Sequence, residues 1–89
     1  MTKYIVNGWQ DYWTLFNDLV EQLKADHQDQ LVLDLVDAQQ YINGLTDGWF
    51  EFKFAFEKSL QIHRNKMSID QIDIADFLIK TLNKSLTNR

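Results

Sequence analysis

Between Trp9 and Lys24 the apolar residues recur at spacings of three and four. Trp9, Tyr12, Trp13, Phe16, Leu19, Val20 and Leu23 share one side of a helix, and Asp11, Asn17, Asp18, Glu21 and Lys24 take the other. The pattern predicts a helix over 9–24, with Asn7 placed to cap its first free N–H groups. A second helical pattern opens at Ser68, which has capping-box spacing to Gln71. Its buried stripe is Ile72, Ala75, Leu78, Ile79, Leu82 and Leu86, and Asp70, Asp73 and Asp76 precede Lys80 and Lys84, the order a helix dipole favours.

A different rhythm runs through GWFEFKFAFEKSLQIH, residues 48–63. Phe50, Phe52, Phe54, Phe56, Leu60 and Ile62 share one parity, broken only by Lys58, while Glu51, Lys53, Ala55, Glu57, Ser59, Gln61 and His63 share the other. At 100° per residue a helix would spread the four phenylalanines to about 0°, 200°, 40° and 240°. The alternation therefore predicts a strand over 49–62, apolar on one face and solvated on the other. Lys3–Val6 and Leu31–Ala38 are the segments available to pair with it.

The expected architecture is α+β, in the order β-α-β-β-α, with a small antiparallel three-stranded sheet covered on one face by two helices. An all-α four-helix bundle is the alternative. Leu31, Leu35, Ala38 and Ile42 also fit a helix ending at Asn43-Gly44, a good left-handed cap.

Composition narrows the function more than it names it. The 89 residues contain no proline, no repeat and no Gly/Ser linker, and read as a single domain over 1–89. The absence of cysteine removes disulfides and thiolate metal sites. No apolar run approaches a membrane span, and MTKYIVNGW has no apolar h-region, so a cytoplasmic protein is expected. Residues 1–50 hold eight acids against two lysines, net −6, and residues 51–89 hold five acids against seven bases, net +2. An acidic chain repels phosphate backbones, which argues against a nucleic-acid binder. Lys58, Arg64 and Lys66 with His63 make at most a local cationic spot on a solvated loop.

Catalytic patterns are missing. Glu51 and Glu57 would sit on an open sheet without a pocket, His27 beside Asp26 and Asp29 reads as a helix-end histidine among solvated acids, and the three glycines form no phosphate loop. No cofactor, metal or catalytic residue is assigned. What remains is binding. Ile74 and Phe77, with Thr81 one turn on, lie off the predicted stripe of the last helix and are expected to be partly exposed. Trp49 falls on the polar face of the strand, where Ala55 leaves a shallow place. The expected function is a small acidic protein–protein interaction module without catalytic activity, self-associating as a homodimer or docking a protein partner through Ile74, Phe77, Thr81 and Trp49. An immunity- or antitoxin-type neutralising protein, docking a basic toxin through Asp26, Asp29, Asp34 and Asp37, is the second reading, and a nucleic-acid-binding module is the third.

Overall fold

The computed structural model describes residues 7–42 and 46–87. They form four α-helices: α1 (Trp9–Ala25), α2 (Asp29–Gln39), α3 (Thr46–His63) and α4 (Ile69–Thr87), with a turn of 3-10 helix (Arg64–Lys66) before α4. No strand occurs among the described residues. The expected three-stranded sheet is overturned, and the chain takes the four-helix alternative. The Lys3–Val6 strand and the Asn43-Gly44 cap lie outside the described residues.

The physical reason is legible in α3. Phe52, Phe56 and Leu60 are buried at successive spacings of four, with buried Ser59 and His63 and half-buried Trp49 beside them. That is a complete helical stripe. Phe50 and Phe54, which the alternating pattern placed in the same row, fall outside it, and Phe54 is 63% exposed while Phe52 is fully buried. No β-branched residue occurs between Asp47 and Gln61, whereas Glu, Lys, Ala, Leu and Gln are frequent helix formers. Lys53 and Glu57, one turn apart, close an ion pair at 3.0 Å along the helix. α2 resolves the same way: Leu31, Leu35 and Ala38 are buried on one face, and Leu33, which a strand would set on the same face as Leu31 and Leu35, is 57% exposed.

The helices form a ring. α1 packs on α2 and α4, and α3 packs on α2 and α4. Phe16 of α1 lies 5.6 Å from the rings of both Phe52 and Phe56, bridging α1 and α3 through the core. Tyr12 is fully buried and donates its hydroxyl proton to the Leu78 carbonyl at 3.2 Å, joining α1 to α4. Burial holds the Tyr12 phenol far above its usual ionisation range.

Both ends of the bundle are fastened. At one end Trp49 stacks 4.5 Å from Trp9 and 5.7 Å from Trp13. At the other, α1 terminates in a Schellman motif: the His27 N–H donates to the Lys24 carbonyl, the Gln28 N–H donates to the Leu23 carbonyl, and His27 takes φ 61°. The Gln28 side chain then donates to the Lys66 carbonyl at 2.9 Å. The predicted capping box forms, with Ser68 N–H to Gln71 Oε1 at 3.0 Å and Gln71 N–H to Ser68 Oγ at 3.2 Å. At α1 the cap differs from expectation. Gly8 holds the cap position without a side-chain bond, and the Asn7 N–H instead donates to Asp11 Oδ2 at 3.2 Å.

Candidate functional site

The four residues expected to form a partner contact do not share an exposed face. Ile74 is only 3% exposed and belongs to the core, which overturns its expected partial exposure. A helix lying on a sheet buries a narrow stripe, but α4 packs against both α1 and α3 and buries Gln71, Ile74, Ala75, Leu78, Leu82 and Leu86 together. Phe77 and Thr81 are half-buried, and the Thr81 hydroxyl donates to the Phe77 carbonyl of its own helix at 2.9 Å. Trp49, expected on a polar strand face, belongs to the tryptophan stack at the bundle end.

The four acids are divided as well. Asp26, at the end of α1, accepts from the Gln71 side chain at 2.6 Å. Asp29 opens α2, where an acid complements the helix N-terminus. Asp34 and Asp37 line a groove of about 320 Å³ between α2 and α3, together with Ala38, Tyr41, Ala55, Lys58, Ser59 and Ile62. The shallow place expected at Ala55 exists, although on a helix. Buried Ser59 and half-buried Ala55 are small side chains, and they let α2 settle closely on α3.

Within the groove the acids have unequal partners. Asp34 Oδ1 accepts from Gln30 at 3.0 Å, and Asp34 Oδ2 lies 3.3 Å from Nε2 of His63, so both oxygens are engaged. Asp37 is exposed, and its carboxylate has no ion-pair or hydrogen-bond partner among the described residues. Lys58 likewise has no ion pair there. Of the cationic spot, Arg64 is committed to Asp76 through two bonds of 3.2 and 2.9 Å, which hold its guanidinium protonated still more firmly than usual.

The helices that form the groove also carry the exposed apolar residues that sequence reasoning missed, of which Tyr41 and Ile62 line it. Leu33 and Val36 are exposed on α2, Tyr41 just beyond it, and Phe50, Phe54 and Ile62 on α3. Elsewhere among the described residues the large exposed apolar side chains are Trp9 and Ile69. Six of the eight lie on α2 and α3 or just beyond α2, and although Val36 and Phe50 turn more than about 100° away from the centre of the groove positions, Leu33 and Phe54 flank it on the outer faces of the two helices. The signal was present in the helical angles of the four phenylalanines, two of which no single core could take. No helix among the described residues is long and apolar enough to cross a membrane, and no three potential metal-ligating side chains gather there. No protein-family model matches the chain, and comparison with curated proteins and with solved structures gives no match.

Proposed function

We propose that this protein is a small acidic interaction module, without catalytic activity of its own, that docks a protein partner on the α2–α3 side. The observation that carries the reading is that six large exposed apolar residues, Leu33, Val36, Tyr41, Phe50, Phe54 and Ile62, lie on α2 and α3 or just beyond α2, with Tyr41 and Ile62 lining the groove between them. Each large apolar side chain removed from water by a partner contributes on the order of 1.5 to 3 kcal/mol before association costs are met.

Charge favours a different chain over a second copy. The groove on this side is lined by Asp34 and Asp37 against Lys58 alone, two acids to one base, a net of −1. A two-fold contact through this side would set that charge against itself. Phosphate backbones are repelled for the same reason. The neutralising role expected of an immunity-type protein agrees with this arrangement, with Asp34 and Asp37 as its acidic contacts and Asp26 outside them. A cytoplasmic setting is part of the same proposal; a chain without cysteine needs no oxidising compartment to fold.

The test pairs capture with sedimentation. Immobilised wild type and the Leu33→Glu/Phe54→Glu variant, both confirmed helical by circular dichroism, are exposed to native-host extract. A discrete protein held by wild type and lost by the variant supports docking through this side. Equal capture by both, or a wild-type dimer that the variant converts to monomer, would replace it with another surface or with self-association.

A further inference from the structure

We infer that the occupant of the α2–α3 groove is a cationic amphipathic helix of another protein, an inference that rests on the docking side proposed above. The main-chain groups of α2 and α3 are already spent inside their own helices, so the groove offers no ladder to an extended peptide. A helix satisfies its own backbone and needs only side-chain contacts. α2 spans 11 residues, about 16 Å, which matches about three turns of a docked helix laid along it. Ala38 and Ala55 leave the space, and Tyr41 and Ile62 supply apolar contacts to side chains recurring at i, i+3 and i+4.

The charge pattern fixes the sign and the side. Asp37 stands on the α2 wall without a partner, next to Asp34, while Lys58 on the α3 wall is the one base lining the groove. A lysine or arginine of the occupant is therefore drawn to the α2 wall and repelled from Lys58. Removing Asp37's charge weakens the complex, and removing that of Lys58 tightens it.

A Lys/Leu peptide with leucines at i, i+3, i+4 and i+7, a Glu/Leu peptide of the same pattern, and the full 89-residue protein make the test. In NMR titration the Lys/Leu peptide is expected to shift the groove residues Asp37, Ala38, Tyr41, Ala55, Lys58 and Ile62 saturably. Asp37→Asn should weaken it about tenfold, Lys58→Gln should tighten it, and added salt should weaken it. Binding of the Glu/Leu peptide at equal strength, shifts centred elsewhere, no saturable binding, or affinity indifferent to both substitutions would overturn the inference. The two readings fail separately. A native-host partner lost with Leu33→Glu/Phe54→Glu yet unmoved by Asp37→Asn and salt keeps the docking side and removes the cationic helix. Groove binding of Lys/Leu without any such partner removes the proposed function and keeps the groove's preference.

Discussion

The side-chain amide of Gln71 and the carboxylate of Asp26, 45 positions apart in the chain, meet at 2.6 Å and tie the end of α1 to the start of α4. The same Gln71 amide oxygen accepts the Ser68 N–H, which fixes which way the amide faces. One buried side chain thus closes a local cap and a long-range contact. Gln71→Ala is expected to cost roughly 1 to 3 kcal/mol, read from urea unfolding, because it removes both bonds. Asp26→Ala removes only one and should cost less. In the double variant the losses should be less than additive, and full additivity would mean that the two side chains act independently.

Phe52 and Phe54 separate the helical fold from the alternating one. In a strand they share a face, and a charge at either position would be equally damaging. In α3 Phe52 is sealed in the core, whereas Phe54 is exposed with the Lys53 ammonium 5.0 Å from its ring centre. Phe52→Asp should unfold the domain, since loss of a buried phenylalanine alone costs roughly 3 to 5 kcal/mol and the carboxylate adds to it. Phe54→Asp should stay helical and change stability by no more than about 1 kcal/mol. Circular dichroism melts of the two variants decide the matter, and equal unfolding would contradict the helix.

How much could be read beforehand depended on whether one periodicity dominated a segment. α1 and the capping box of α4 were clear in the sequence, because a single stripe of apolar residues served a single face. In α3 the core stripe and the outward pair Phe50 and Phe54 interleave, and together they imitate period two. Helix propensity between Asp47 and Gln61 was the contrary signal. The outward apolar residues of α2 and α3 were hidden by the same confusion, since Leu33 and Phe54 count as core residues only while their segments are strands. Ile74 was misplaced because its exposure depends on how many neighbours α4 has, which periodicity alone does not show.

His27 turns the chain between α1 and α2 with a left-handed φ of 61°, in the position where a Schellman motif favours glycine. A side chain with a β-carbon is strained there by about 1 to 2 kcal/mol, part of which glycine returns through its greater freedom in the unfolded state. His27→Gly is therefore expected to stabilise the fold by roughly 0.5 to 1 kcal/mol. Because His27 is exposed and its side chain holds no bond among the described residues, nothing else is lost. A lower unfolding midpoint for His27→Gly would show that the histidine ring supports the turn.

Tyr12 makes stability sensitive to alkaline pH. Its phenol is buried beside the Leu78 carbonyl, and burial raises its ionisation far above the ordinary value. Below about pH 10 the phenol is protonated in both folded and unfolded chains, and pH has no purchase on it. Above about pH 10 the unfolded chain gives up the proton while the folded one keeps it, so stability falls by up to about 1.4 kcal/mol per pH unit. Tyr12→Phe removes this component and should cost about 1 kcal/mol at neutral pH through the lost hydrogen bond. Urea unfolding of both proteins at intervals from pH 8 to 11 isolates the effect, because other titrating groups are common to the pair. The gap between wild type and Tyr12→Phe should narrow and then reverse as pH rises past about 10. Parallel curves throughout would mean that the Tyr12 hydroxyl reaches solvent and that the seam between α1 and α4 is looser than its geometry.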